Sequence, residues 1–280
     1  QNPRQLTRIN PIFEDIALGA SRLIEWKSID GQRLRGALLL PSEYETGKRY
    51  PLIVWVYGGD WGSNRVNRFG LEGPGVNNLQ LLATRGYTVL FPDAPLQGKT
   101  PMQALMKTVL PGVNKAIEIE IADPDRIGVM GHSYGGYSVL ALIVQTTRFK
   151  AAVSSAGSGN LLSHYGFMRR DGSTYGMHGS EGRFGGTPWQ FRHEYIENSP
   201  AFYLDRVQTP LLLTHGSLDN AVPSFLADEI FVGLRRLEKE VVYVKYEGET
   251  HAPADWTFSN QVDFWKRVIA WFDEHLKPPR

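Results

Sequence analysis

The stretch that most constrains the fold of this chain is residues 126–145, RIGVMGHSYGGYSVLALIVQ. Residues 127–130 are an apolar run long enough for a buried strand, 131–136 form a glycine-flanked turn, and 137–145 are apolar and compatible with a helix. A serine at the centre of a strand–turn–helix sits in a nucleophile elbow, where the sharp turn pushes the Ser133 hydroxyl away from the sheet. The glycines leave room for the strand and helix backbones to pass closely, and the helix aims its first N–H groups at the serine.

A simpler interpretation of the same residues is that Ser133 caps the helix and that the glycines only make a turn. The bare pattern G-x-S-x-G is a weak signal in a chain with 29 glycines among 280 residues, because such matches arise by chance. The flanking strand and helix are the context that the chemistry requires, and they favour a nucleophile.

The composition excludes several other classes of protein. With 280 residues, 42% hydrophobic and 21% charged, the chain is long enough for one large α/β domain with a sizeable core. A net charge of +1 indicates no polyanionic partner, so we expect neither nucleic acid nor a membrane surface as a partner. The absence of cysteine excludes disulfides, a thiolate nucleophile and thiolate metal sites, and we expect no metal and no cofactor.

The same numbers leave the compartment and the oligomeric state open. No apolar run approaches the roughly 18–20 residues of a membrane span, and no secretory signal is present. We therefore expect a soluble protein, either cytoplasmic or exported after removal of a signal, since the chain begins at Gln1 rather than Met.

The rest of the chain alternates strands with helices, which is typical of a mostly parallel central sheet with helices on both faces. Asp30-Gly31 is a strong turn signal, and the hairpin around it predicts antiparallel strands at one edge of the sheet. Residues 1–21 are polar and mixed and indicate an arm or linker, so that the main domain spans 22–280. The predicted strands are 22–29, 33–40, 51–57, 87–91, 127–130, 149–155, 211–215 and 240–246. The predicted helices are 77–85, 101–121 with a kink or a helix start near Pro111-Gly112, 137–145, 189–195, 224–237 and 255–276.

Residues 157–199 break this alternation. The segment is rich in Gly, Tyr, His, Arg and Trp and has no clean periodicity apart from the short helix that starts near Trp189. A stretch of this length without regular structure in a compact domain is usually functional, and its aromatic residues argue against a disordered insertion. We therefore predict an active-site flap or excursion here.

A serine nucleophile needs a base within hydrogen-bond reach, and the base needs an orienting carboxylate. In chains with this type of elbow the order is Ser, then Asp or Glu, then His. His251 follows a predicted strand and precedes the closing helix, where the base should lie. Asp219 follows strand 211–215 by a few residues and is better placed than Asp205 or Asp228. The alternatives are a solvated loop histidine and an aspartate that only forms an Asx turn.

The other histidines are worse placed to act as the base. His215 ends a strand, His275 lies in the last helix, and His132 lies inside the turn, where we expect it to point away from the nucleophile. The remaining three lie in the predicted flap: His164, His178 and His193.

The tetrahedral intermediate of acyl transfer needs two hydrogen-bond donors. One is the backbone N–H of Tyr134, the residue after the nucleophile. The second should come from the loop after strand 51–57, where a glycine pair indicates a close approach of the backbone. The candidates are the Tyr57 hydroxyl and the backbone N–H of Gly58 or Gly59.

Taken together, these motifs resemble the catalytic α/β-hydrolase domain of the prolyl oligopeptidase family, the S9 serine peptidases, from about residue 22 to the C-terminus. G-x-S-x-G alone is shared by all α/β-hydrolases, whereas the longer strings are far more specific. The resemblance implies triad roles for Ser133, Asp219 and His251, and the family's oxyanion position for Tyr57. The matching strings are GHSYGGY at 131–137, VYGG at 56–59, HGSLDNAVP at 215–223 and the loop 248–251.

The chain departs from the family pattern in two places. Family members usually carry an N-terminal β-propeller that filters substrates by size, and 280 residues leave no room for one. The family also often has proline after the glycine pair, where this chain has Asp60 and then Trp61. We therefore expect an open site in which the flap and the Asp60 loop recognise the substrate. The candidate contacts are Asp60, Trp61, Tyr165, Arg169, Arg170, Arg183 and Trp189.

Three functional hypotheses follow from the sequence. The first is a carboxylesterase-like serine hydrolase that cleaves small esters, and also short peptides or acylated amines, through an acyl-enzyme on Ser133, because esters need less leaving-group assistance than amides. The second is a true S9 oligopeptidase or exopeptidase catalytic domain separated from its propeller. The third is a non-catalytic binding protein on a hydrolase fold, which the filled triad positions disfavour.

Overall fold

The computed structural model describes residues 7–71, 79–174 and 184–277. In this part of the chain, eight strands form one sheet: β1 (Ser21–Lys27), β2 (Arg33–Leu39), β3 (Tyr50–Trp55), β4 (Thr88–Pro92), β5 (Ala122–His132), β6 (Ala151–Ser155), β7 (Leu211–Gly216) and β8 (Val241–Tyr246). Their order is β1-β2-β4-β3-β5-β6-β7-β8. Strands β3 to β8 pair in parallel, whereas β1–β2 and β2–β4 are antiparallel. The predicted α/β-hydrolase sheet with an antiparallel hairpin at one edge is confirmed.

Helices cover both faces of the sheet. They are α1 (Gln80–Ala83), α2 (Pro101–Glu118), α3 (Tyr134–Ile143), α4 (Leu161–Tyr165), α5 (Arg192–Glu197), α6 (Phe225–Arg236) and α7 (Phe258–Leu276). Apolar side chains of α2, α3 and α6 form the core on one face, and those of α1 and α7 form the core on the other. Every residue of β3, β4 and β6 is buried, as expected for strands covered from both sides. None of the helices among the described residues is both long and apolar enough to span a bilayer.

The helix start predicted as one alternative near Pro111 is wrong, because α2 continues through this residue from Pro101 to Glu118. A proline inside a helix leaves the carbonyl four residues earlier without its usual donor. In this fold the carbonyl of Lys107 accepts a hydrogen bond from the N–H of Ile29 at the tip of the β1–β2 hairpin, at 3.0 Å. The next carbonyl, that of Thr108, accepts the indole N–H of Trp26 at 3.0 Å. The hairpin therefore compensates the proline.

The chain between β6 and β7 contains more regular structure than the sequence predicts. Helix α4 and the turn Pro200–Arg206 have no counterpart in the predictions, and α5 begins at Arg192 rather than 189. Buried Asn198 ties this segment to the start of α2, since its side chain accepts the N–H of Met102 and donates to the carbonyl of Lys99. Residues 175–183, which include His178 and Arg183, lie outside the described residues.

Candidate active site

The turn between β5 and α3 places Ser133 at the carboxyl edge of the sheet. Its φ of 59° and ψ of −121° are strained for a residue with a side chain, and this strain is a property of nucleophile elbows. A Cβ on Gly131 would lie 2.4 Å from the carbonyl oxygen of Gly135, and one on Gly135 would lie 2.4 Å from that of Val56. Both glycines are therefore required for the close passage of strand and helix.

Three side chains from distant parts of the sequence meet at this turn. His251 Nε2 lies 2.9 Å from the Oγ of Ser133, and His251 Nδ1 lies 2.7 Å from the Oδ2 of Asp219. The Asp219 side chain is fully buried, whereas that of His251 is 27% exposed. The structure thus brings together the three residues that the sequence predicts as nucleophile, base and orienting carboxylate, in one chain of hydrogen bonds.

The carboxylate of Asp219 is held by donors on both oxygens. Oδ1 accepts the backbone N–H groups of Ala221 and Val222 at 2.8 and 2.9 Å, and Oδ2 accepts from the rings of His251 and His215. Burial on its own would raise the pKa of Asp219, but the hydrogen bonds from the two rings outweigh it and hold this pKa well below its usual range. The carboxylate is therefore ionised at any pH at which the protein would work.

The loops that carry Asp219 and His251 are bonded to each other through their backbones. The N–H of Leu218 donates to the carbonyl of Glu249 at 2.9 Å, and the N–H of Gly248 donates to the Oγ of Ser217 at 2.9 Å. A Cβ on Gly216 would lie 2.3 Å from the carbonyl oxygen of Thr250. The distance between carboxylate and imidazole is therefore fixed by main-chain contacts rather than by the two side chains alone.

A second buried carboxylate holds the His251 loop against α7. The Oε1 of Glu249 accepts the N–H and the hydroxyl of Thr257, at 3.0 and 2.7 Å, and the side-chain amide of Asn260 at 2.6 Å. The indole N–H of Trp256 donates to the carbonyl of Thr250 at 2.9 Å. The sequence analysis missed this brace, although a Glu eight residues before a Thr that caps a helix is a visible signal.

His132, which the sequence predicts to point away from the nucleophile, lies beside the base of the site. Its ring lies 4.7 Å from the ring of His251, centroid to centroid, and its Nδ1 lies 3.2 Å from the Oγ of Ser155. Burial, helped by the nearby His251, lowers the pKa of His132 to about 3, so the ring is neutral at ordinary pH. His132 therefore packs against the side of the imidazole of His251.

The predictions for the oxyanion donors need one correction. The N–H of Gly58 donates to the Oγ of Ser138 at 3.1 Å, and the N–H of Gly59 donates to the carbonyl of Ala94 at 2.7 Å, so neither is available to an oxyanion. A Cβ on Gly58 would lie 2.8 Å from the ring of Tyr134, so this glycine serves packing. Tyr134 is the first residue of α3, and the ring of Tyr57 lies 6.2 Å from its ring. The Tyr57 hydroxyl and the backbone N–H of Tyr134 therefore remain the candidate oxyanion donors.

A narrow pocket opens beside Ser133. Its lining is aromatic and apolar except for a serine and a buried histidine, and the described part of the chain contributes no carboxylate to it. The lining residues are Tyr134, Tyr137, Ser158, Leu161, His164 and Val222. The Nε2 of His164 lies 3.1 Å from the carbonyl of Ala221, and burial lowers the pKa of this histidine to about 4. The pocket is therefore uncharged, but it has room for only about one water molecule, so it accommodates at most a very small uncharged group.

The predicted substrate contacts divide into two groups. Asp60 is engaged locally, since its carboxylate accepts the backbone N–H of Trp61 and pairs with Arg65 at 3.2 Å. On the other side of the site, Trp189 is 79% exposed, and its ring meets that of Tyr165 edge-on at 5.9 Å.

The two arginines of this region are held through their backbones. The N–H of Arg170 donates to the side chain of Asn220 at 3.1 Å, next to Asp219. The N–H of Arg169 donates to the carbonyl of Ser173, and its positive charge helps to lower the pKa of His164. Arg183 lies outside the described residues. Within those residues no group of three or more His, Asp or Glu side chains is arranged to hold a metal ion.

Comparison with known proteins identifies the family and the relatives that this chain matches. The family described as "Prolyl oligopeptidase family" matches residues 76–279. An uncharacterized peptidase, YuxL, of Bacillus subtilis is 28% identical over 99% of this chain and 42% of its own length. Dipeptidyl-peptidase 5 of Porphyromonas gingivalis is 29% identical over 90% of this chain and 37% of its own.

Two solved structures that are similar to this chain are also peptidases. An acylaminoacyl peptidase from Pyrococcus horikoshii superposes with a TM-score of 0.81 and 27% identity, over 99% of this chain and 45% of that one. An acylaminoacyl peptidase in complex with Z-Gly-Gly-Phe-chloromethyl ketone gives a TM-score of 0.79. The chain thus spans less than half the length of these relatives.

Proposed function

The chain belongs to the prolyl oligopeptidase family and is a serine hydrolase, and from this premise we propose that it cleaves uncharged acyl compounds, both short acyl-blocked peptides and small esters, through an acyl-enzyme on Ser133. The observation that carries the proposal is the hydrogen-bonded chain from the Ser133 hydroxyl through His251 to Asp219, with distances of 2.9 and 2.7 Å. Peptide bonds enter the proposal because the relatives named above are peptidases.

In the proposed reaction the Oγ of Ser133 attacks the carbonyl carbon of the substrate while the Nε2 of His251 takes its proton. Ionised Asp219 holds the Nδ1–H tautomer of His251 and stabilises the imidazolium that forms. The negative charge on the substrate oxygen is met by the backbone N–H of Tyr134 and the hydroxyl of Tyr57. His251 then returns its proton to the leaving alcohol or amine, and water releases the acyl group by the same steps in reverse.

The electrostatics of the site support an uncharged acyl group. A free amino terminus next to the scissile bond would need a carboxylate close to the pocket beside Ser133, and the described lining contains none. Two charged side chains act on His164 in this pocket: Asp219, whose carboxylate is already hydrogen-bonded to His215 and His251, and Arg169, which would repel an ammonium group. A blocked or neutral acyl group needs no partner carboxylate and is not repelled by Arg169.

A second candidate is a carboxylesterase that cleaves peptides only slowly. It is supported by the engaged carboxylate of Asp60, which removes one expected contact from the β3 loop. With fewer contacts to the leaving group, the enzyme would depend on the better leaving ability of an alcohol.

The test combines covalent labelling with a panel of substrates. A fluorophosphonate probe should label the wild type and leave Ser133→Ala unlabelled, while the variant keeps its melting temperature. The values of kcat/KM should then be compared for N-acetyl and free-amine forms of the same amino acid p-nitroanilide, and for the matching p-nitrophenyl ester. We expect the acetylated anilide to exceed the free amine by at least about tenfold, which is the effect of about 1.4 kcal/mol.

Three outcomes would contradict the proposal. No labelling of the folded wild type would exclude a serine hydrolase mechanism on Ser133. A preference for the free-amine anilide would leave the nucleophile in place but overturn the assignment of an uncharged acyl group. Ester cleavage without measurable anilide cleavage would select the carboxylesterase instead.

A further inference from the structure

His215 is a fully buried histidine that the proposed reaction does not use. It lies near the end of β7, four residues before Asp219, and its side chain has no exposed surface. Its Nε2 lies 3.1 Å from the Oδ2 of Asp219 and 2.7 Å from the carbonyl oxygen of Val222. The same Oδ2 is the oxygen that faces His251. Two imidazoles therefore share one carboxylate oxygen.

The neighbours of His215 fix its protonation state. A carbonyl oxygen can only accept a hydrogen bond, so the short contact to Val222 requires a proton on Nε2. The other ring nitrogen, Nδ1, is buried and has no hydrogen-bond partner within the described residues. A proton on Nδ1 would leave a buried donor unpaired and would also make the ring cationic, and both are costly. The ring is therefore neutral, with its single proton on Nε2.

We propose that His215 is a positioning residue for the hydrolytic reaction, a neutral Nε2–H donor that holds Oδ2 of Asp219 in line with His251 and limits the negative charge that this oxygen presents to it. This inference rests on the proposed function, since the alignment has a catalytic effect only if Ser133 is the nucleophile. With the donor present, Oδ2 divides its lone pairs between two rings. Without this donor, Oδ2 would interact more strongly with a protonated His251. It would also lose the hydrogen bond from His215 that helps to fix its position.

The charged and titratable groups around His251 determine the sign of the effect. Asp219 favours the imidazolium, and His132, neutral down to a pKa of about 3, packs against its side. His164 interacts electrostatically with Asp219, His251 and Arg169. Within the described residues, the one hydrogen bond to Oδ2 of Asp219 besides that of His251 comes from His215. Removing this bond should stabilise the imidazolium of His251, so that the base becomes available only at higher pH.

The experiment compares two variants that are nearly equal in size and shape, His215→Met and His215→Gln. Methionine has no donor, whereas the glutamine amide can donate to the carbonyl of Val222 and to Oδ2. For His215→Met we expect the acid limb of the pH profile of kcat/KM to move up by about half a pH unit or more. We also expect the plateau to fall by about 10- to 100-fold, the effect of losing a hydrogen bond to a charged group. For His215→Gln we expect the acid limb at the wild-type pH and a plateau value of kcat/KM within about fivefold of the wild type.

A purely structural role would give a different result. If His215→Met and His215→Gln lower the melting temperature equally while the acid limb of both stays at the wild-type position, the proposal is overturned. If the methionine variant does not fold, ¹⁵N spectra of histidine in the wild type decide. A neutral His215 protonated on Nε2 between pH 5 and 9 supports the proposal, whereas the Nδ1–H tautomer or a titrating ring overturns it. Absence of activity in a wild type that shows the expected tautomer would contradict the proposed function instead.

Discussion

The two sides of the candidate site are built in different ways. On one side, which we term the reacting side, the loops 56–59, 131–134, 216–222 and 248–251 meet at the ends of β3, β5, β7 and β8, and backbone atoms of these loops approach one another closely. On the other, the flap side (157–174 and 184–199), aromatic rings stack on one another towards the surface, from buried Phe184 and Tyr195 through Tyr165 to exposed Trp189.

This difference indicates where the protein tolerates change. A contact between two backbones cannot be relieved by a new rotamer, so the reacting side should respond sharply to the addition or removal of a single atom. A row of aromatic rings that ends in exposed Trp189 can be truncated at that end without disturbing the buried rings. Substitutions matched between the two sides test this comparison directly.

The largest effect is expected on the reacting side, for Tyr57→Phe. If its hydroxyl meets the developing oxyanion, kcat should fall by about 100- to 1000-fold, or about 2.7–4 kcal/mol, with little change in KM. The control is Tyr87→Phe. Its hydroxyl bonds Asp273 at the amino end of β4, away from the site, and its loss should leave kcat unchanged. Steady-state kinetics on one acyl ester suffice, and a loss below about threefold for Tyr57→Phe would remove this residue from the oxyanion site.

The next effect comes from adding a single methyl group on each side. In Gly131→Ala the new Cβ would lie 2.4 Å from a backbone oxygen, and we expect the free energy of unfolding to fall by about 3 kcal/mol, together with activity. Gly166→Ala, on the flap side, has its nearest neighbour at 3.7 Å and should be neutral within about 0.5 kcal/mol. Urea unfolding measures both. Equal losses in the two variants would show that the sides do not differ in tolerance.

The same difference explains which features the sequence could predict. Ser133, Asp219 and His251 follow the ends of strands. Because a buried strand can be recognised from a local apolar run, the positions of these three residues can be predicted from the sequence. His215 and His132 lie at the ends of two of these strands, β7 and β5. Their contacts with Asp219 and His251 depend on which way a side chain turns in the assembled sheet, and no local pattern shows this. The unbroken α2 was missed for a similar reason, because the donor that compensates Pro111 comes from a hairpin about 80 residues away.

Acid should destabilise the fold through one buried histidine on each side. The pKa values of His132 and His164 are lowered from an ordinary 6.5 to about 3 and about 4, chiefly by burial. The unfolded chain takes up these protons first as the pH falls, so stability is complete above pH 6.5 and is lost towards pH 4. Each ring contributes about 1.4 kcal/mol per pH unit within this window.

His164→Gln isolates one of these two contributions. Its amide can still donate to the carbonyl of Ala221, as the histidine does. We expect the slope of the free energy of unfolding between pH 6 and 4.5 to fall by the contribution of one proton, with wild-type stability at pH 8. Urea titrations at a series of pH values measure the slope. An unchanged slope would mean that His164 is protonated in the folded protein.

The smallest effect is expected at the end of the flap side, for Trp189→Ala. The ring is 79% exposed and touches Tyr165 edge-on, so its removal should change stability by less than about 0.5 kcal/mol. If the ring contacts the substrate, KM should rise about two- to fivefold while kcat stays constant, because such a contact is equally strong in the ground state and the transition state. Ile29→Ala, at the exposed tip of the hairpin, is the matched control and should change neither value. A fall in kcat with constant KM would mean that the flap side also orders the reacting atoms, and the separation between the two sides would no longer hold.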